Sequence, residues 1–171
     1  MGQGTALNEY MIDEISIRNH WQAGDLGYLT YLHGTLYQQE CQYGLSFEAY
    51  VAAALHELVM NYDPNRNRIW VCEHANKMIG FLSLMDRGPA AQLRFFLIAP
   101  AYRGLGLGRK LMDQYMEFLA ACGYSSSFLW TTEEQEKAIK LYQSYGFRLT
   151  EEKPSTTFGK PLVEQRYDLV L

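Results

Sequence analysis

Cysteine is scarce in this 171-residue chain: Cys41, Cys72 and Cys122 are the only three, odd in number and without CxxC spacing. A disulfide framework is thereby excluded and a reducing, cytoplasmic setting is expected. Positive charge is not in excess either, with 15 Lys and Arg against 19 Asp and Glu and a pI of about 5.6. The basic footprint of a nucleic-acid binder is therefore missing, whereas a mildly acidic protein suits a small cationic partner. No apolar run approaches the roughly 18 residues of a membrane span, and no basic-then-apolar leader opens the sequence, so neither a membrane nor the secretory route is expected. Internal repeats, low-complexity tracts and linkers are absent. Cys72 and His74 lie two apart and share a strand face, but a zinc site needs three or four ligands and no partner cluster exists. No metal is expected.

What is present is globular. Hydrophobic residues make up 48% and charged residues 20%, unlike the polar composition of a disordered chain. A single domain is expected over 1–171, with 1–12 poorly ordered. A chain of this length buries roughly 70% of its unfolded surface, enough to enclose a pocket.

The alternation of Ile15 and Ile17 predicts a strand within 14–21. After Gly24, Asp25 is placed to cap a helix on which Leu26, Leu29, Leu32 and Leu36 recur at three and four. Ser46 is placed to cap a second helix carrying Phe47, Val51, Ala54, Leu55 and Leu58, which Pro64 stops. Three strands follow at 69–74, 78–85 and 91–98, separated by the turn-forming EHANKM and DRGPA, and read as an antiparallel meander. Helical spacing returns over 106–122, where Leu107, Leu111, Tyr115, Phe118, Leu119 and Cys122 share a face that Gly123 ends. SSSFLWTT (125–132) reads as a strand. Thr132 and Gln135 then form a predicted capping box for a helix with Ala138, Leu141, Tyr142 and Tyr145, closed by Gly146. FRLTEE and VEQRYDLVL supply two last strands.

The segment AYRGLGLGRKLM (101–112) sets Gly104, Gly106 and Gly108 at alternate positions in front of the third helix. Glycine within a helix costs about 1 kcal/mol relative to Ala, so the pattern needs another reason. At a strand-to-helix junction, unpaired N–H groups and the positive end of the helix dipole point outward together. Bare backbone lets a polyanion approach, and Arg103 and Arg109 bracket the loop with positive charge. The dinucleotide pattern GxGxxG fails in both frames, and GxxxxGK[ST] fails as well.

Arg103-Gly104-Leu105-Gly106-Leu107-Gly108, preceded by Pro100, resembles the R/Q-x-x-G-x-G/A signature of the GCN5-related N-acetyltransferases, the GNAT superfamily. AIKLYQSYGF (138–147) is similar to that family's second landmark, an apolar helix ending in LY-x-x-x-GF. The element order matches the family over nearly the whole chain. The resemblance implies an α/β GNAT fold, a mixed and mostly antiparallel central sheet of about seven strands flanked by about four helices. HGTLY, SFEAYV, NYDP and SYGF further resemble the acetyltransferase domain fused to MarR-type regulators in bacteria. With 13 residues ahead of the first strand, a free-standing domain is expected.

The resemblance also implies a function: transfer of an acetyl group from acetyl-CoA, the acyl-donor substrate, to a primary amine by direct attack on the thioester. The diphosphate would lie on the amides of residues 104–109 (Gly104, Leu105, Gly106, Leu107, Gly108, Arg109) beside Arg103. The pantetheine arm would run along Phe96, Leu97 and Ile98, with a backbone N–H near Leu97 or Ile98 polarising the carbonyl. Tyr142 matches the family's general acid for the departing sulfur. Two positions depart from the pattern: Gln135 replaces a cofactor-contacting Asn, and Trp130 stands where some members carry a basic Glu. The proton acceptor must then be sought on the first helix pair, where His33 and Glu40 are candidates, or be water. Arg94 could orient a substrate carboxylate or pair with an acid. A non-catalytic acetyl-CoA sensor and a partner-binding module, such as a homodimer joined through Tyr37, Trp70, Trp130 and Phe158, are the alternative readings.

Overall fold

The computed structural model describes residues 12–171. The expected poor order of the first twelve residues thus falls, up to residue 11, outside the described residues. Seven strands form one sheet: β1 (Ser16–Arg18), β2 (Arg68–His74), β3 (Lys77–Arg87), β4 (Ala90–Ile98), β5 (Ser126–Thr132), β6 (Arg148–Ser155) and β7 (Leu162–Val170). Their spatial order is β1-β2-β3-β4-β5-β7-β6, and only the β4–β5 pair is parallel. Four helices flank the sheet, α1 (Asp25–Cys41), α2 (Leu45–Met60), α3 (Leu107–Ala121) and α4 (Glu136–Ser144).

Both faces of the central strands are covered, so β3 reads as a nearly unbroken buried run in place of the polar alternation of a half-exposed strand. Leu82 and Leu84 pack toward α3 with Leu111, Tyr115 and Leu119. Phe81 and Met85 point the other way, toward Leu29 of α1 and Phe47, Val51 and Leu55 of α2. Each large side chain so buried contributes about 1.5–3 kcal/mol. The predicted face of α3 holds, except that Met112 is fully buried in place of Phe118 and Cys122, which are only partly covered.

Three predicted caps are corrected. Helix α1 starts from Gly24 in the left-handed region, and the Asp25 carboxylate accepts both Nη groups of Arg18, at 2.6 and 2.8 Å, together with the Gln22 N–H. Helix α2 starts from Gly44 without a side-chain cap, which puts Ser46 inside the first turn. The Thr132–Gln135 box does not form: α4 begins one residue after Gln135, the Thr132 hydroxyl pairs with that of Tyr43, and the Gln135 amide donates to Cys41 Sγ. For Asp25 and Thr132 another partner takes the side chain that would have capped the helix.

Strand β4 carries the irregularity on which the site is built. Ser83 of β3 pairs with Arg94 and Phe81 with Leu97, so Phe95 and Phe96 together face the single residue Leu82. Phe95 has φ +58°. This β-bulge reverses the inward-facing parity of the strand. Ala91 and Leu93 face α3 before it, and Phe96 and Ile98 face that way after it, while Phe95 turns toward α1 and α2.

The β2–β3 hairpin has a simpler strain. His74 pairs with Lys77, which leaves Ala75 and Asn76 as the two turn residues, at φ +48° and +60°. Such a turn favours Asn or Gly at both positions, and Ala is penalised there. Ala75→Gly is expected to stabilise the protein by about 0.5–1 kcal/mol, read as a rise of about 1–4 °C in Tm by calorimetry.

Candidate active site

Pairing between β4 and β5 covers three residue pairs, Ala90–Ser126, Ala91–Ser127 and Gln92–Phe128. Beyond them β5 continues against β7 to Thr132 and β4 continues against β3 to Ile98. The strands diverge and leave one edge of β4 without a partner strand. Two carbonyls in this stretch are met by side chains: Ser83 Oγ donates to Arg94 O at 2.8 Å and Arg103 Nε to Ile98 O at 2.8 Å. The free edge is therefore available to a ligand carrying amide groups.

Two cavities fill the wedge. The larger is a cleft of about 580 Å³ lined by Phe96, Leu97 and Ile98 of β4, Arg103, Gly104 and Gly108 of the following loop and helix, and Gln135, Leu141 and Tyr142. The smaller, of about 140 Å³, is an aromatic chamber under α1 and α2, walled by His33, Tyr37, Tyr43, Phe47, Tyr50 and Phe158. Tyr37, Phe96, Gln135, Ala138 and Tyr142 line both. They form the wall where the two cavities meet.

The three glycines have different reasons. Gly104 and Gly106 adopt φ +75° and +87°, conformations that cost other residues about 1–2 kcal/mol. A Cβ at either would meet nothing within 4 Å, so the loop's outer side is open. Gly108 instead faces the packed side, where a Cβ would make ordinary contacts with Leu141 at 3.4 Å and Ile98 at 3.6 Å. Gly106 is the residue preceding α3, whose first intrahelical bond is donated by Lys110 to Gly106 O. The amides of Leu107, Gly108 and Arg109 are thus unpaired within the helix, and no acidic residue lies in its first turn. An anion at this mouth would meet backbone donors and the helix dipole together. Leu107 contributes only backbone here, since its side chain is buried in the core. Leu105 and Arg109 flank the mouth without lining the enclosed cleft.

Tyr142, on α4, is 6% exposed and 6.2 Å from the Phe96 ring, centroid to centroid. Burial raises its phenol pKa further, so it stays protonated at any working pH. Among the described residues its hydroxyl makes no hydrogen bond, and because Tyr142 lines both cavities that donor is open to a ligand. Glu40 and His33 are not brought together. Glu40 lines the cleft, not the chamber, and pairs with Arg103 Nη1 at 3.0 Å. His33 lies in the chamber wall, 3% exposed, its Nδ1–H donating to Leu29 O at 2.8 Å. Its ring stacks on Tyr37 at 5.9 Å and meets Phe95 edge-on. Burial lowers its pKa to about 4 despite that hydrogen bond, so the imidazole is neutral and only a weak base. The same burial pushes Tyr37 up to about 12.

The aromatic patch proposed for an interface is corrected. Trp70 is buried between the sheet and α3, against Tyr115 and Phe118, and Phe158 is buried in the chamber wall against Tyr43 and Phe47. Lining residues that sequence reasoning missed come from distant segments: Gln92, Tyr50 and Glu164 in the chamber, Tyr102, Glu134 and Lys137 in the cleft. The three in the cleft lie next to or near predicted positions, Tyr102 beside Arg103 and Glu134 and Lys137 around Gln135, whereas those in the chamber had no local signal.

The model of the Acetyltransferase (GNAT) family matches residues 34–147, which run from the middle of α1 through the loop and α4. The chain belongs to this family. An uncharacterized N-acetyltransferase of Escherichia coli K12, YjgM, is 29% identical over 117 residues, which are 64% of this chain and 70% of YjgM. Across the curated relatives it matches, the chain spans from 38% to 70% of the relative's own length. A crystal structure of an acetyltransferase from Streptococcus agalactiae superposes with a TM-score of 0.76 at 21% identity, covering 92% of this chain and 99% of that one. The structure of yncA from Salmonella typhimurium with its cofactor acetyl-CoA gives 0.70 at 20% identity, covering 92% and 94%. The GNAT fold is shared with both, and the acyl donor of such enzymes is acetyl-CoA. No helix among the described residues of this GNAT protein is long and apolar enough to cross a membrane.

Burial of His33 carries a pH dependence. Its folded pKa lies below the unfolded value of about 6.5, so between pH 6.5 and 4 the unfolded chain binds the extra proton and stability falls as the pH falls. The loss expected from this residue is about 2 kcal/mol between pH 6.5 and pH 5. Urea denaturation at the two pH values checks it, and His33→Gln should flatten the decline in that window.

Proposed function

We propose that this GNAT acetyltransferase moves the acetyl group of acetyl-CoA directly onto a primary amine seated in the aromatic chamber. The observation that carries the reading is the shared wall, where one phenol without a protein partner lies between an anion-ready cleft and an aromatic chamber. The cleft residues fit the donor. Open backbone at Gly104 and Gly106 and the unpaired amides of Leu107, Gly108 and Arg109 suit a diphosphate, and the free edge of β4 along Phe96, Leu97 and Ile98 suits the amide-bearing arm. Bound there, acetyl-CoA supplies an activated acyl thioester.

The amine nitrogen forms the new bond to the acetyl carbon as the carbon–sulfur bond breaks. The nitrogen's proton leaves and the sulfur gains one. Tyr142 is assigned the second transfer, because it is held protonated and sits beside Phe96 at the end of the arm's track. A backbone N–H at Leu97 or Ile98 is assigned to the carbonyl oxygen. Arg103, pinned by Ile98 O and Glu40, is assigned to the diphosphate. Gln135, at the start of α4 and engaged with Cys41, is assigned to the cofactor as part of the cleft floor. Water in the chamber is the simplest acceptor for the amine proton, since Glu40 is engaged outside it and His33 is a weak base. His33 then serves as a hydrogen-bond acceptor for the incoming amine.

Direct transfer is favoured over an acyl-enzyme. Cys41 is the one thiol lining the cleft among the described residues, and burial raises its pKa although the Gln135 amide partly offsets this. A protonated thiol is a poor nucleophile. Cys72 is sealed in the core.

Two outcomes follow. Acetyl-CoA at a hundredfold excess over its Kd should stabilise the folded protein by about 2.7 kcal/mol, seen as a rise in Tm. Gly106→Val should melt lower by about 1–2 kcal/mol for its left-handed φ and lose that rise. Tyr142→Phe should keep its stability and its affinity for acetyl-CoA, because no protein hydrogen bond is broken, while kcat measured by thiol release drops about a hundredfold. The low end of the general-acid range applies because a thiolate of pKa near 8.5 is already a fair leaving group.

A further inference from the structure

Arg94 is unlike the other arginines near it. Arg18, Arg66, Arg87, Arg103 and Arg166 each donate to a carboxylate at 3.1 Å or less. The Arg94 side chain is only 16% exposed, yet its carboxylate neighbour, Glu57, stands 3.9 Å away and is held through its other oxygen by Arg87. Among the described residues, none accepts a hydrogen bond from the Arg94 guanidinium. What it has instead are two ring faces, Tyr50 and Phe95, each 5.1 Å from ring centroid to guanidinium carbon. A guanidinium with five N–H donors and no protein acceptor within hydrogen-bond distance keeps those donors free for a ligand's oxygens. It lines the chamber.

The chamber's other charged wall residue is Glu164 on β7, 17% exposed at its side chain and 3.7 Å from Lys153. Arg94 belongs to β4 and Glu164 to the β5–β7 half of the sheet, so the two charges stand on opposite sides of the wedge. A dipolar molecule fits between them. A polyamine would instead place a second cation against Arg94. The volume, about 140 Å³, equals about five water molecules at roughly 30 Å³ each, which suits a small metabolite. Along the strand, Arg94 is two residues from Phe96, the residue shared by cleft and chamber.

We propose that the acceptor is a small amino acid whose carboxylate is bound by the Arg94 guanidinium while its amine faces Phe96 and Tyr142. This rests on the acetyltransferase reading and replaces the small cationic amine that the acidic composition suggested. A planar fork meets a carboxylate with two parallel hydrogen bonds, and the aromatic walls take an apolar side chain. The amine nitrogen takes the acetyl carbon, the coenzyme sulfur leaves with a proton, and the product is the N-acetyl amino acid.

The test compares L-valine, L-methionine and L-phenylalanine, each with its carboxamide and its decarboxylated amine, and spermidine, by thiol release with saturating acetyl-CoA. Each acid is expected to exceed its amide and amine by roughly 30-fold in kcat/KM, chiefly through KM. Arg94→Gln should bring the acid-to-amide ratio close to one, and Arg94→Lys should restore part of it. Unchanged affinity of both variants for acetyl-CoA, by calorimetry, certifies their folding. A better rate with the amides, the amines or spermidine, or an equal loss of acid and amide in Arg94→Gln, overturns the proposal. Failure of the wild-type protein to bind acetyl-CoA would instead defeat the underlying acetyltransferase reading. Calorimetry of L-phenylalanine against its amide would then still judge Arg94 alone.

Discussion

Three residue pairs hold the two halves of this sheet together, and the site exists because there are no more. β5 has a full antiparallel partner in β7 and β4 has one in β3, so each strand can follow its own neighbour once the seam at Gln92–Phe128 ends. Separation leaves main-chain polar groups of β4 without a ladder, a cost of about 0.5–1.5 kcal/mol for each hydrogen bond not replaced. Arg103 recovers one carbonyl at the end of the strand, that of Ile98. The rest of that edge is the natural seat of a ligand's amides.

The bulge at Phe95 complements the divergence. By reversing the strand's parity it sends Phe96 and Ile98 toward α3 and α4, into the larger cleft, and turns Phe95 toward His33 and α1. An unbulged strand would keep the parity set by Ala91 and Leu93 and would point Phe96 into the α1–α2 side. Backbone strain at one non-glycine residue thus decides which side chains face each cavity. The left-handed Gly104 and Gly106 do the corresponding work for the loop, while Gly108 faces the packed side, toward Leu141 of α4. One motif therefore joins a conformational demand to a packed helix start.

The meander, the four helices and the two glycine-marked helix ends were legible because periodicity and turn chemistry are local. So was the loop at 103–108, whose residues are contiguous. The chamber was not, since Tyr43, Arg94, Glu164 and Phe158 converge from four separate segments, and no spacing rule links them. Glu40 shows the limit within a single element. Helical spacing correctly put it one turn from Tyr37, but which cavity it reaches depends on Arg103, 63 residues away.

The failed caps carry the same lesson in energetic form. An N-cap contributes about 1 kcal/mol, less than a charge-assisted or buried tertiary bond. Asp25 is drawn to Arg18 by two short contacts, and Thr132 to a Tyr43 hydroxyl that also donates to Glu134. The second case bears on function, because Tyr43 lines the chamber and Gln135 lines both cavities. With Thr132 held by Tyr43 and Gln135 by Cys41, the start of α4 is fastened to α1 and to the segment that follows it. Tyr142, two turns further along α4, is positioned by those ties. Local rules are broken here where the structure has to fix one hydroxyl on the wall between two cavities, which is where a conflict between propensity and tertiary demand is expected.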